Sequence, residues 1–345
     1  MIKQILALGG IGIAIGLAQS ASPAPAKPKP ATAQAKPAAA KPKAATTTAN
    51  YVPPKTSWGE PDLRGIWPLN HLIAVPLTRP ARFAGKASLN DDEIATAQTA
   101  LEARNSRFEG AAIPVADTSK RVMRQTSLIV DPPDGRFPEL TDVGKKLQDE
   151  MRSSYRPGQT VFDTIEDFSA WDRCITRGMP VSMEPRNYNN GVRIMQSPGY
   201  VVVIVEMAHE ARVIPTGSAP PLPSEIKQWL GEPRGHWEGN TLVVESKNFN
   251  GLVGQTSAGV PGSPGPLQPA TTDMRIVERF TRTAADTIEF RMTIEDPAVM
   301  KSSYTVAYPM FLDNSFEMYE YACHEGNTAV RNYIETSRFE RGKAK

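Results

Sequence analysis

Residues 188–215 read YNNGVRIMQSPGYVVVIVEMAHEARVIP, and the pattern of this stretch decides the fold. Its centre, residues 200–205, is a continuous apolar run rich in valine that follows the turn residues Ser-Pro-Gly. A run of this length between turns predicts a β-strand buried on both faces. The shorter and more polar segments on either side predict neighbouring strands. Because Glu206 and His209 follow the apolar run directly, we expect a buried site at the end of this strand.

The C-terminal half continues as a series of strand patterns. Residues 288–294 alternate apolar and polar side chains, which indicates one buried face and one solvated face. Further strands are predicted at residues 241–245, 274–281, 303–311 and 316–323. Because no helical pattern separates them, we expect a mainly β fold. Its predicted form is an antiparallel meander closed as a lipocalin-like barrel, with a sandwich as the alternative.

Four regions follow from composition and pattern. Residues 1–20 have the basic, apolar and small-residue layout of a secretory signal peptide. Residues 21–50 contain almost only Ala, Pro, Lys and Thr, which predicts a disordered, solvated tether. Residues 51–171 are irregular and proline-rich, and we expect them to wrap around the β-rich domain of residues 172–345.

Helix signals are few. Asn90 with Glu93 forms a capping-box pattern that predicts a helix running to about residue 104. A second helix is predicted from Thr141 and a short third one at residues 224–230. The sequence therefore predicts a few helices packed around a β structure.

The basic charge of the chain lies in its N-terminal tail. The 39 Lys and Arg residues exceed the 37 Asp and Glu residues by two, and residues 1–50 hold six lysines and no acidic residue. Removing those six charges from +2 leaves −4 for residues 51–345. A mildly acidic domain without a basic stripe argues against a nucleic-acid partner. The signal pattern predicts a periplasmic location, where the basic tail would contact an anionic envelope surface weakly.

Cys174 and Cys323 are the two cysteines of the chain. In an exported protein they can form one disulfide, which would stabilise the fold by about 5 kcal/mol in the chain-entropy model for a loop of roughly 150 residues. Two separate packed thiols are the alternative, and the sequence does not decide between them.

Motifs of metal and cofactor sites do not occur in the sequence. There is no HExxH motif, no His pair at helical spacing and no Cys cluster, which disfavours a zinc site. A GxSxG elbow and a glycine-rich phosphate loop before a helix are also absent. We therefore expect no metal and no cofactor, and any reaction would depend on acid/base side chains.

Glu206 and His209 are the candidate catalytic pair. At the end of a buried strand, desolvation would favour the neutral forms of a carboxyl and an imidazole, as general acid/base catalysis requires. The alternative is a structural pair, in which Glu206 bonds a core arginine and His209 bonds a backbone carbonyl.

Two clusters beside this pair supply candidate binding residues. Arg177, Tyr188 and Asn189 could bind a carboxylate or a phenolate, although turn-forming Asn and a solvated Arg are the plainer interpretation. Tyr319 and Tyr321 share one face of the predicted strand 316–323, with His324 at its exit. These tyrosines would stack on an aromatic small molecule, or they are ordinary aromatic residues of the barrel wall.

Seven motifs resemble a large family of exported bacterial β-rich proteins. They are PDLRGIW (61–67), SLIVDPPDGR (127–136), RCITRGMP (173–180), the YNN to VIP stretch (188–215), WLGEPRGHWEGNTLVV (229–244), VERFTR (277–282) and YEYACHEGN (319–327). Within that family the sequence is similar to cofactor-independent lyases of bacterial lignin-dimer breakdown. Those enzymes open a phenylcoumaran ring and release a side-chain carbon as formaldehyde or carbon dioxide, which leaves a stilbene.

The resemblance implies a carbon–carbon lyase that needs one base, one acid and a group that stabilises a phenolate. As a hypothesis, His209 is the base and Glu206 its orienting or proton-relaying partner. Arg177 and Tyr188 would hold the phenolate, and Tyr319 and Tyr321 would form the aromatic wall. The competing hypotheses are a non-catalytic periplasmic protein that binds a hydrophobic aromatic molecule, and a structural envelope protein.

Overall fold

A computed structural model describes residues 51–106, 121–186, 188–255 and 267–342. The predicted signal peptide (1–20) and tether (21–50) lie outside the described residues. In the described ranges, ten β-strands form two antiparallel sheets and three α-helices accompany them, so the prediction of a mainly β fold with few helices is confirmed. The elements are β1 (Gly65–Ile66), α1 (Asp91–Ser106), β2 (Ile129–Asp131), α2 (Asp142–Glu150), β3 (Val192–Ser197), β4 (Tyr200–Val205), β5 (Glu210–Pro215), β6 (Glu232–Glu238), β7 (Thr241–Lys247), β8 (Arg275–Ala284), β9 (Thr287–Glu295), β10 (Tyr304–Phe311) and α3 (Ala329–Glu340).

The first sheet has four strands in the order β1-β3-β4-β5. Val205 at the end of β4 lies opposite Val192 of β3 and Glu210 of β5. This register places residues 206–209 in the connection between β4 and β5. The predicted central strand and its two neighbours are therefore present.

The second sheet has six strands in the order β2-β10-β9-β8-β7-β6. Five of them follow one another as the predicted antiparallel meander, and β2 joins the far side of β10. The described strands leave β2 and β6 as the two edges of this sheet, so the lipocalin-like closure is not observed among them. The predicted strand at residues 316–323 is wrong, because that segment forms neither a strand nor a ladder. The helix predicted at residues 224–230 is also wrong.

The core lies between inward-facing residues of both sheets. Alternate residues of β9 are fully buried, as their pattern predicted. In β4 the burial also alternates: Val201, Val203 and Val205 are buried, whereas Tyr200 is 45% exposed. The prediction that β4 is buried on both faces is wrong, since Val202 and Ile204 on the other face are only partly buried.

An ion pair joins the two sheets inside this core. The guanidinium of Arg212 in β5 donates to both carboxylate oxygens of Glu278 in β8, with Nη1 to Oε1 at 2.8 Å, and also to Oγ of Ser246 at 3.4 Å. Both charged side chains are buried. Two charges removed from water in this way must remain paired, because a single buried charge would be strongly destabilising.

The region before residue 172 contributes to both sheets through β1 and β2. The predicted capping box of α1 is confirmed, since N–H of Asn90 donates to Oε2 of Glu93 at 2.8 Å and N–H of Glu93 donates to Oδ1 of Asn90 at 2.9 Å. Oγ1 of Thr141 caps α2 by accepting from N–H of Gly144 at 2.9 Å. In the described ranges, no helix has the length and apolar composition needed to cross a bilayer.

Candidate functional site

The connection between β4 and β5 holds Glu206 in a network of hydrogen bonds. Its carboxylate is 1% exposed and accepts from the side-chain amide of Asn189 (3.0 Å), from N–H of Tyr319 (2.9 Å) and from N–H of Gly191 (2.8 Å). Buried carboxylates need such donors to offset their desolvation. Glu206 therefore connects the β4–β5 connection to residues 189–191 and to the segment that contains Tyr319.

His209 is exposed and acts as a hydrogen-bond acceptor. Its Nε2 accepts from N–H of Tyr321 at 3.1 Å, which requires the tautomer with the proton on Nδ1. Ala208 and His209 both have left-handed φ, of 60° and 52°. For residues other than glycine this backbone conformation costs about 1–3 kcal/mol each, and it persists only where surrounding contacts hold it.

The segment that contains Tyr319, Tyr321 and His324 differs from the predicted strand. Tyr319 is exposed and its hydroxyl donates to Glu317 at 2.9 Å, whereas Tyr321 is half-buried in an aromatic stack. His324 is exposed in the turn that follows. Backbone N–H groups of this segment donate to the side chains of Glu206 and His209 and not to a neighbouring strand. The alternation of side chains that a β-strand imposes therefore does not determine where its side chains lie.

Cys174 and Cys323 form a disulfide, which the sequence left open. It connects the loop after Trp171 to the segment that carries Tyr321. The side-chain amide of Asn327 also donates to Sγ of Cys174 at 3.0 Å. The disulfide therefore helps to fix the distance between Trp171 and Tyr321.

Aromatic rings and one arginine stack beside this disulfide. The rings of Tyr188 and Tyr321 stack with centroids 6.2 Å apart, and those of Trp171 and Tyr321 with centroids 5.8 Å apart. The guanidinium carbon of Arg177 lies 3.7 Å from the Trp171 ring centroid. The structure thus brings together Arg177, Tyr188 and Tyr321, all singled out in the sequence. It adds Trp171, whose position two residues before the RCITRGMP motif was the available signal.

The charge of Arg177 is poorly solvated. Burial lowers the pKa of this guanidinium, and the nearby phenol groups of Tyr188, Tyr321 and Tyr155 act in the opposite direction. Burial in turn raises the pKa of Tyr321, and a hydrogen bond with Tyr188 adds to the rise. Burial also raises the pKa of Tyr155, with Asp172 adding to it. At neutral pH Tyr155 and Tyr321 are therefore neutral phenols that can donate hydrogen bonds.

Two cavities adjoin the stack and share the side chains of Tyr155, Phe168 and Trp171. The larger has a volume of about 570 Å³ and is also lined by Tyr188, Tyr321, Tyr333 and the disulfide. The smaller has a volume of about 360 Å³ and is lined by Arg177. Of the candidate residues singled out in the sequence, Tyr188, Tyr321 and the two cysteines line the larger cavity and Arg177 lines the smaller one. The other five candidates line neither of these two cavities: Glu206, His209, Asn189, Tyr319 and His324.

Two carboxylates that the sequence interpretation missed hold the cavity walls in place. Glu210, the first residue of β5, accepts from N–H of Arg177 at 3.0 Å and from the hydroxyls of Thr176 and Ser182. Asp172 accepts from the hydroxyls of Ser153 (2.9 Å) and Ser169 (2.7 Å). Glu210 follows His209 directly, so its position beside the predicted pair was the available signal.

Within the described ranges, no three His, Cys, Asp or Glu side chains form a group that could hold a metal ion. Comparison with models of known protein families, with characterised proteins and with solved structures found no match. The resemblance described above therefore remains a hypothesis.

Proposed function

We propose that the protein binds a phenolic aromatic molecule in the larger cavity and acts on it as a cofactor-independent carbon–carbon lyase. The observation that carries the binding step is the stack of Tyr188, Tyr321 and Trp171 in the cavity wall. A ligand ring placed against such side chains gains about 0.5–1.5 kcal/mol per aromatic pair beyond its buried area. The cavity volume of about 570 Å³ suits a small molecule.

The reaction is supported by the resemblance to the lyases of lignin-dimer breakdown. Ionisation of a para-phenol expels the furan oxygen of a phenylcoumaran and gives a quinone methide. Deprotonation of the hydroxyl of the neighbouring hydroxymethyl group then breaks the carbon–carbon bond to that group, which leaves as formaldehyde. The electron pair of the broken bond moves into the quinone methide and restores the aromatic ring. A carboxylate at that position would leave as carbon dioxide in the same way. Tyr155 and Tyr321 supply neutral donors for the phenolate oxygen, and the charge of Arg177 lies nearby.

His209 and Glu206 have a positioning role in this proposal. Both side chains accept hydrogen bonds from the backbone of the segment that carries Tyr321, and neither lines the cavity. The alternative hypothesis, in which His209 is the base, requires Nε2 to release N–H of Tyr321 before it takes a proton from the substrate. The substitution His209→Gln separates these roles, because glutamine keeps an acceptor but cannot act as the base.

A non-catalytic aromatic-binding protein is the second candidate function. The observation that favours it is the full occupation of Glu206 by three donors, which leaves the expected acid/base pair engaged in holding the fold. In this case the larger cavity would retain its ligand unchanged.

One experiment distinguishes the two functions. The full chain is incubated without added cofactor with a phenylcoumaran dimer, and stilbene absorbance is followed together with released formaldehyde or carbon dioxide. Product supports the lyase. Saturable quenching of tryptophan fluorescence without product supports the binding protein, and loss of that quenching in Tyr188→Ala would locate the ligand in the larger cavity, because Tyr188 lines that cavity and not the smaller one. If neither product nor quenching is observed, both functions are rejected.

The proposal includes a periplasmic location, supported by the signal-peptide pattern of residues 1–20. The lysines of residues 21–50 would give a weak contact with an anionic envelope surface. The proposed partner is a small aromatic molecule, and no nucleic-acid partner is proposed.

A further inference from the structure

The chain around Tyr321 is attached to the rest of the fold on both sides. N–H of Tyr319 donates to Glu206 at 2.9 Å, and Cys323 is held by its disulfide. Tyr321 lies midway between these two attachments, and its N–H donates to Nε2 of His209 at 3.1 Å. The position of the Tyr321 backbone therefore depends on an imidazole acceptor.

His209 can act as this acceptor only while its imidazole is neutral. A protonated imidazole carries N–H groups on both nitrogens and has no acceptor. Its Nε2–H would then face the N–H of Tyr321, donor against donor. Histidine is the side chain that ordinarily changes its charge between about pH 5 and 8, and His209 is exposed to solvent.

The ionisable groups around His209 do not replace it as the acceptor. Glu206 and Glu210, its neighbours in the chain, each accept from three donors already. The other ionisable side chains of the surrounding elements are Glu317, Tyr319 and Glu320 on the segment that carries Tyr321, and Tyr155, Arg177 and Tyr188 around the Tyr321 ring. Because Glu206 and Glu210 are engaged, N–H of Tyr321 would bond to water when His209 is protonated.

The backbone of the β4–β5 connection adds to this sensitivity. Ala208 and His209 have φ of 60° and 52°, a left-handed conformation that persists in such residues only where contacts hold it. The hydrogen bond to Tyr321 is one of the contacts of this turn. Its loss would favour relaxation of the turn together with release of Tyr321.

We propose that His209 is a pH-sensitive switch, which holds Tyr321 in the wall of the larger cavity at neutral pH and releases it when the imidazole is protonated. The Tyr321 ring stacks with those of Trp171 and Tyr188, with centroids 5.8 Å and 6.2 Å apart, so its release disturbs the stack. Because these rings line the larger cavity, acidic pH would also weaken ligand binding there. This last consequence rests on the function proposed for the cavity.

Near-UV circular dichroism of the full chain reports on the aromatic stack without a ligand. We expect the wild-type spectrum to change between about pH 8 and about pH 5.5. Most of this change should be lost in His209→Gln, because glutamine is an acceptor that does not titrate. At pH 8 the spectrum of His209→Ala, which has no acceptor, should resemble that of the wild type at about pH 5.5.

Two comparisons assign the change to His209. Burial raises the pKa of Glu184 to about 7, so this carboxyl titrates in the same range, but it does so in the wild type and in His209→Gln alike. His324 is an exposed histidine in the turn after Tyr321. His324→Gln is therefore the matched control, and its spectrum should change with pH as that of the wild type does.

The effect on binding is measured by tryptophan quenching with a phenylcoumaran dimer that carries a hydroxymethyl group and no carboxylate. We expect the affinity of the wild type to fall about two- to tenfold from pH 8 to pH 5.5, as the loss of one hydrogen bond predicts. The affinity of His209→Gln should stay the same over this range. His209→Ala should bind the dimer weakly at both pH values.

The switch is rejected if the spectra of the wild type and His209→Gln change equally with pH, or if His324→Gln removes the change as fully as His209→Gln does. It is also rejected if the dimer binds with the same pH dependence in the wild type and in His209→Gln, although the proposed function would stand. A change of spectrum that depends on His209, without dimer binding at either pH, would support the switch and reject the proposed function.

Discussion

Nε2 of His209 accepts a hydrogen bond from the backbone N–H of Tyr321 at 3.1 Å, across 112 residues of chain. Two residues earlier, N–H of Tyr319 donates to Glu206 at 2.9 Å. The side chains of Glu206 and His209, both in the β4–β5 connection, thus accept backbone hydrogen bonds that a neighbouring β-strand would otherwise accept. They hold Tyr321 where its ring can stack between Trp171 and Tyr188.

This relationship predicts different effects for two substitutions of His209. In His209→Ala the N–H of Tyr321 loses its acceptor, and we expect about 0.5–1.5 kcal/mol less stability together with weaker aromatic binding. In His209→Gln an acceptor is kept, and we expect near-normal binding and turnover. Urea unfolding and tryptophan quenching measure both effects. A complete loss of turnover in His209→Gln with normal binding would instead identify His209 as the base.

The buried pair of Arg212 and Glu278 predicts strong non-additivity. Arg212→Met leaves an uncompensated carboxylate in the core, and we expect a loss of about 3–5 kcal/mol in the free energy of unfolding. The double variant Arg212→Met/Glu278→Leu removes both charges and should recover most of that loss. Urea unfolding of the wild type, both single variants and the double variant gives the coupling energy. Additive losses would show that the two side chains stabilise the fold independently.

Glu184 predicts a change of stability with pH. Burial raises the pKa of this carboxyl from 4.5 to about 7, although the charge of Arg186 acts against the shift. Because the folded pKa is the higher one, the stabilising contribution is full below pH 4.5 and is lost as pH rises to about 7. The loss is about 3 kcal/mol by linkage. Glu184→Gln should therefore become more stable relative to the wild type as pH rises from 4.5 to 7.

The comparison with a variant is needed because His71 has the opposite effect. Burial lowers its pKa from 6.5 to about 4, so its contribution is present above pH 6.5 and is lost as pH falls through 4. The two contributions partly cancel in the wild type, and the difference between wild type and Glu184→Gln isolates Glu184. Glu102→Gln, on the exposed surface of α1, serves as the control. A difference that does not vary with pH would contradict the raised pKa.

The disulfide predicts a loss of stability on its removal. Cys174→Ser/Cys323→Ser opens a loop with a sequence separation of 149 residues, and the chain-entropy model gives a loss of up to about 5 kcal/mol. Because the disulfide lies beside Tyr321, we also expect weaker quenching of Trp171 fluorescence by an aromatic ligand. Chemical unfolding and ligand titration of the double variant test both effects. Unchanged stability would show that noncovalent contacts alone hold the two segments.

The sequence by itself determined the local elements. Alternation over residues 288–294 predicted β9, and the Asn90 and Glu93 pair predicted the start of α1, because each signal depends on residues two to four positions apart. It also gave Arg177, Tyr188 and Tyr321 as candidate binding residues. The proximity of these three side chains is a property of the tertiary structure.

Only the tertiary structure decided which faces are covered and which polar groups meet. The valine run of β4 is compatible with burial on one face or two, and in the structure one face is buried and the other partly exposed. Arg212 and Glu278 are 66 residues apart, and Glu206 and Tyr319 are 113 residues apart. Short-range patterns carry no information about such contacts, because a hydrogen bond in the core depends on the distance between folded segments and not on their separation along the chain.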